Sequence, residues 1–347
     1  MAANRNRQMA LSILSHCRPL ARPRLHLLRP ASQCRSYPTY RVQKETTATT
    51  HILPVGRAKR YDVESMLDFT AIPRSYVEAF ISTCGDEFDI RSPAGYYDGL
   101  MVYAESIRSR GNAFTVIKPT DKLPDAVVLH DLGCIVAEAS RGSMMGLAAS
   151  LWFTAATWGY APSTCSLAGF LAHTGMYGQS ELFTPAEQRF QALVKQGRDP
   201  IAMAIQGEIL CRQGSLAAAE DMLRKALRRH ESKGELGNWE PNARISLGRT
   251  LAKRGKTDEA EAVLRKLSDE GYIEADGPLG KILRDKDPDL ASQYMFRMGC
   301  VGFLDVFNDM AAIELDKSAK AENSRDAEEH RKWAEELSHL GNKKATF

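Results

Sequence analysis

The feature that most constrains this chain is a spaced set of small residues and leucines that occurs twice. One copy occupies residues 200–207 and continues through Leu210, Gly214, Ala219, Leu223 and Ala226. The other runs Leu247, Gly248, Leu251, Gly255, Ala260, Leu264 and Leu267. Placing Gly207 on Gly248 brings Leu210 onto Leu251, Gly214 onto Gly255, Ala219 onto Ala260 and Leu223 onto Leu264. The spacing has a mechanical meaning. A glycine inside one helix lets a second helix cross closely, and a glycine after a helix takes a left-handed turn. The alanine then fits the crossing point, and the leucine four residues on fills the space between the helices. Two hairpins of one design are expected over 200–267, stacked on each other.

These residues resemble the tetratricopeptide repeat. Met203 and Arg244 stand where that family usually has a large aromatic, and the interval from Gly207 to Gly248 exceeds the usual period of about 34 residues. The excess points to an insertion at 231–240, which contains Gly234 and Gly237. Upstream, Ala149, Trp152, Ala155, Ala156 and Gly159, followed by Leu167, Phe170, Leu171 and Gly175, resemble the longer Sel-type variant. Ala186, Phe190, Leu193 and Gly197 supply the second helix of that hairpin. Residues 291–299, together with 326–341 around Trp333, Ala334 and Gly341, read as a degraded fourth unit. The expected fold class is all-α: an α/α solenoid of tetratricopeptide-like (Sel-like) hairpins over 126–341, with a tail at 342–347. A short mixed or helical region at 61–125 precedes it. There Pro73 opens a helix carrying Tyr76, Val77, Phe80 and Ile81. A second helix runs over 96–107 toward Gly111, and 113–117 is a strand or extended connection.

The 347 residues carry 46 Lys+Arg and 43 Asp+Glu, a net charge of +3, and are 44% hydrophobic. That composition excludes a chain disordered throughout. The charge is unevenly placed. Arg5, Arg7, Arg18, Arg22, Arg24, Arg29 and Arg35 fall in 1–37 without one acid, and the remainder is net acidic. A basic, acid-free segment rich in Arg, Ser and Leu reads as a mitochondrial presequence, with Met9, Leu11, Ile13 and Leu14 as its apolar face. Arg35-Ser36-Tyr37 resembles a matrix-peptidase cleavage site. Arg18, Pro19, Arg22 and Pro23 interrupt the apolar run a secretory signal needs. The alternative is a basic arm for RNA or lipid. Residues 38–60 read as a linker, and the expected location is the matrix or the matrix side of the inner membrane.

Five cysteines lie beyond residue 37, widely spaced and with no Cys-x-x-Cys pair, which is neither a disulfide framework nor a zinc spacing. Cys211 falls in an apolar helical pattern as a small buried hydrophobe. Residues 144–160 are almost wholly apolar or small, but Pro162 ends the run short of the roughly 20 residues a span requires. A buried solenoid helix is the expected reading, with membrane association as the alternative. His130, Asp131 and His173 have no nucleophile or metal ligand at a matching spacing, and Gly169, Gly175 and Gly178 follow no strand. No enzyme, cofactor or metal site is indicated.

Function then follows from the resemblance. Tetratricopeptide arrays line a groove mainly with their first helices, which by register present Ala204, Glu208, Cys211 and Arg212, then Asn242, Ile245, Arg249 and Lys253. Mixed charge with apolar gaps suits an amphipathic helix or extended peptide. Ala204 and Glu208 break the Lys/Asn clamp of chaperone-tail binders, which disfavours chaperone docking. The expectation is a non-enzymatic scaffold or adaptor in mitochondria, in the manner of an assembly factor for a respiratory complex. The basic stretch 212–256, with Arg224, Arg228 and Arg229, keeps an RNA-linked factor of gene expression as the alternative. Trp239 is its lone aromatic for stacking on bases.

Overall fold

Helix boundaries follow from local chemistry along most of the chain. The computed structural model describes residues 63–84, 88–120, 122–140, 144–233 and 239–342, so the expected presequence, linker and nearly all of the tail lie outside the described residues. After a single turn at Val63–Met66 come α1 (Arg74–Thr83), α2 (Pro93–Arg110), α3 (Ala126–Ala139) and α4 (Met145–Thr157). The middle of the chain forms α5 (Ala161–His173), α6 (Thr184–Gln196), α7 (Pro200–Arg212) and α8 (Leu216–Lys233). The rest forms α9 (Glu240–Lys253), α10 (Thr257–Asp269), α11 (Asp276–Leu283), α12 (Pro288–Cys300), α13 (Val306–Lys320) and α14 (Ser324–Gly341). There is no strand among the described residues; 113–117 is a connection whose first two residues, Ala113 and Phe114, lie in a turn.

Side-chain caps open several of these helices by accepting from N–H groups that have no partner inside the helix. Ser92 accepts from Gly95 and Asp125 from Val128 at the starts of α2 and α3. Asp199 takes both Ile201 and Ala202 at the start of α7, with Pro200 in the first turn. Gly111, in the left-handed region at φ 62°, stops α2.

The N-terminal helices form one apolar core that extends to Leu167 and Leu171 of α5. Its polar groups are tied across helices. Tyr103 Oη donates to the Ser150 carbonyl at 2.8 Å, and Tyr96 Oη to Asp131 Oδ2 at 2.8 Å. His130 Nδ1 lies 3.1 Å from Ser163 Oγ. The apolar run at 144–160 is α4, buried from Leu147 to Ala156. No described helix is long and apolar enough to cross a membrane. Trp152, read as part of the Sel-like stretch, lies against Gly133 of α3, where a Cβ would overlap the indole. α4 thus has α3 as its closest partner, because only a glycine there leaves room for so large a ring.

From α5 onward the cores hand over from hairpin to hairpin. Cys165 and Ala168 of α5 share one with Phe190 of α6, Ile201 and Ile205 of α7 and Ala243 of α9. Ile245 of α9 belongs to the next, with Leu264 of α10 and Leu279 of α11. Nearest-neighbour packing of this kind defines an α solenoid. Gly207 faces Leu223 and Gly248 faces Leu264, so the two glycines are equivalent seats. A third seat, not read from the sequence, is Gly280. A Cβ there would lie 3.1 Å from the Ala291 carbonyl and 2.9 Å from Met295 Cγ. Residues 291–299 therefore supply the second helix of an α11–α12 hairpin, and α13–α14 form a separate pair after it. Part of the excess length between Gly207 and Gly248 is helix, since α8 has 18 residues against 13 in α10.

Candidate functional site

The first helices of successive hairpins touch one another: α5 meets α7, α7 meets α9, and α9 meets α11. The second helices α8, α10 and α12 have no comparable mutual contact, so the array bends toward its first-helix side. That side presents the polar residues of α7 and α9 as a shallow surface.

Glu208 and Arg212 lie one turn apart on α7. The Arg212 guanidinium donates to Glu208 Oε1 at 3.0 Å and to His173 Nδ1, on the end of α5, at 3.0 Å. Arg212 therefore links two neighbouring first helices, and acceptance by Nδ1 requires the proton of a neutral His173 ring to sit on Nε2. On α9, Lys253 is exposed while Arg249 and Asn242 are half-buried. Asn242 Nδ2 is itself buried and has no acceptor. Ala204, Cys211 and Ile245 do not supply the apolar gaps expected of them. They are 2%, 8% and 4% exposed, because contact between adjacent first helices consumes those positions. The accessible part of the site is thus narrower and more polar than the register alone implied: Glu208, Arg212, Asn242, Arg249 and Lys253.

The basic stretch is largely matched by acids. Glu220, 6% exposed on α8, receives Arg224 from its own helix, and Arg254 and Lys256 from the turn between α9 and α10. Burial opposes its ionisation, but bonds from Lys256, Arg224 and Arg254 outweigh burial and hold the carboxyl down to about 2. Arg224 also reaches Glu259 on α10, so this cluster ties one hairpin to the next. Lys225 pairs with Asp221, and Arg244 with Glu240. Sequence reading counted these cations but missed Glu220 as their hub; its alignment three residues before Leu223, beside Ala219, was the available signal.

The repeated seats, the hairpin turns at Gly214 and Gly255 in left-handed conformation, and the layering of first helices all converge on α7–α10. The family model for the tetratricopeptide repeat matches residues 201–269. The match begins one residue into α7 and ends with α10, the two hairpins built on Gly207 and Gly248. No curated protein matches the chain. Tetratricopeptide hairpins stack into extended surfaces, and the matched residues are the stacked hairpins α7–α10. Among the described residues, no group of three or more His, Cys, Asp or Glu is placed to hold a metal ion. His130 and Asp131 are spent on Ser163 and Tyr96 in the N-terminal core.

Proposed function

We propose that this protein is a non-catalytic scaffold that holds a protein partner on the first-helix face of its tetratricopeptide hairpins, in mitochondria. The observation that carries this reading is the row of Glu208, Arg212, Asn242, Arg249 and Lys253 along neighbouring first helices, above hairpins whose interiors are filled. A polar strip over a rigid stack suits an extended segment or the polar side of an amphipathic helix. The Arg-rich, acid-free residues 1–37 support mitochondrial placement, in the matrix or at the matrix side of the inner membrane. An adaptor in the assembly of a respiratory complex fits that combination. The RNA-linked reading is weaker, because Arg224, Lys225, Arg244, Arg254 and Lys256 are engaged with carboxylates.

The test is a pull-down from mitochondria with the full chain, in parallel with a variant carrying Arg212→Glu, Arg249→Glu and Lys253→Glu. Loss of a reproducible protein set in the variant, with its thermal midpoint retained, is the expected result. Retention of the same set would remove the first-helix face from the proposal. Recovery of nuclease-sensitive RNA in place of protein would favour the rival.

A further inference from the structure

Asp276 opens α11 and is 0% exposed, the most deeply enclosed carboxylate of the repeat array. Neither of its oxygens has a well-directed hydrogen-bond donor. Its nearest cation is Arg297 of α12, whose Nε lies 3.1 Å from Asp276 Oδ2 while the guanidinium carbon sits 5.8 Å from the centre of the Tyr294 ring. The next residue, Gly277, is pressed against Met298 so closely that a Cβ would overlap the sulfur. The start of α11 is therefore packed closely against α12, and a carboxylate enclosed there loses the bulk water its ionised form demands. Leu267, Ala275 and Leu279, each fully buried, supply the apolar part of this junction, with the buried Ser268 beside them.

We propose that Asp276 makes the α10–α11 junction a proton-sensitive hinge, in which the protonated acid seats α11 between α10 and α12 and the ionised acid favours opening of that contact. The groups facing it set the direction. From α10 come the hydroxyl of Ser268 and the carboxylate of Asp269; from the turn before α11, Glu274; from α12, Arg297. On α9, Arg244 is committed to Glu240 and stands 4.0 Å from Glu270. On α10, Arg265 is held by Glu261 and lies 3.3 Å from Tyr294 Oη. Arg297 is thus the one cation brought to Asp276 among the described pairs, against two acids. Burial is the largest influence and pushes the carboxyl up from its ordinary 3.8 to about 6, with Ser268 and Arg297 pulling the other way.

The sign follows from linkage. An acid whose folded pKa is raised binds its proton more tightly when seated, so seating is firm at low pH and weakens as pH rises through about 6. The junction lies between the hairpins seated at Gly248 and Gly280, so its opening changes how far the array can bend. This hinge stands independently of what the first-helix face binds.

The experiment is hydrogen exchange on the full chain at pH 5 and pH 7.5, corrected for intrinsic rates, with α3 as the internal reference. Wild-type protection in α11 and the facing part of α12 is expected to drop about tenfold between the two pH values, and Asp276→Asn to abolish the drop. Equal drops in both proteins, or none in the wild type, overturn the hinge. Should Asp276→Asn fail to fold, the carboxyl carbon of Asp276 is titrated by NMR in the wild type. A midpoint near 6 supports the proposal, and one near the ordinary aspartate value overturns it.

Discussion

Leu223 packs over the Cα of Gly207 so tightly that a Cβ there would lie 2.5 Å from Leu223 Cγ, and 3.3 Å from the carbonyl of Ala219. The same relationship recurs between Gly248 and Leu264, where the nearest distance is 2.6 Å. This contact decides how closely each hairpin closes, and the stacking of hairpins depends on it.

Gly207→Ala gains helix propensity worth about 1 kcal/mol but forces overpacking that costs about 1–3 kcal/mol. Net destabilisation of up to about 2 kcal/mol is expected by urea denaturation. Adding Leu223→Ala to Gly207→Ala should show favourable coupling, since the second change removes the overlapping atoms. Simple additivity would mean the two residues do not meet.

Glu220 offers a different kind of joint. Removing its charge leaves Arg224, Arg254 and Lys256 without their shared acceptor, and Glu220→Gln is expected to cost about 2 kcal/mol, less than a fully buried pair because the three cations are partly exposed. The pH dependence runs opposite to that of Asp276. With the folded carboxyl held down to about 2, its stabilisation is present above pH 4.5 and is lost as pH falls toward 2. Urea midpoints of wild type and variant should therefore differ at pH 7 and converge in acid.

Tyr103 is fully buried, with its hydroxyl 2.8 Å from the Ser150 carbonyl and 2.9 Å from Thr154 Oγ1. Burial pushes its phenol up to about 12, so it stays neutral and bonded across the working pH range. Tyr103→Phe keeps the ring but strands those oxygens, and a loss of about 1–2 kcal/mol is expected by thermal denaturation near neutral pH. An unchanged midpoint would show that the α2–α4 contact is held by apolar packing alone.

Much of the repeat architecture was legible because it depends on residues that act locally. Gly207, Gly214, Ala219 and Leu223 announce a hairpin by spacing, whereas the caps at Ser92 and Asp199 were not read, and the helix expected over 96–107 begins at Pro93. Gly280 escaped notice because its interval to Ala291 is one residue shorter than that from Gly207 to Ala219, and because Met295 takes the place of leucine. Gly133 escaped because its partner Trp152 lies on a helix that the small-residue pattern assigned elsewhere. The site was only half legible. Register placed Glu208, Arg212, Arg249 and Lys253 correctly on the first helices, yet it could not tell that Ala204, Cys211 and Ile245 would be covered.

The amino-acid order alone determined the helices, the hairpin turns and the seats at Gly207 and Gly248, since these follow from steric size and backbone freedom within about thirty residues of chain. Only the tertiary structure decided which charges remain available. Glu220 meets Arg254 and Lys256, Arg212 meets His173, and Asp276 meets Arg297 because separate helices are brought side by side. Burial and ion pairing depend on that juxtaposition, which no single helix carries in its own sequence.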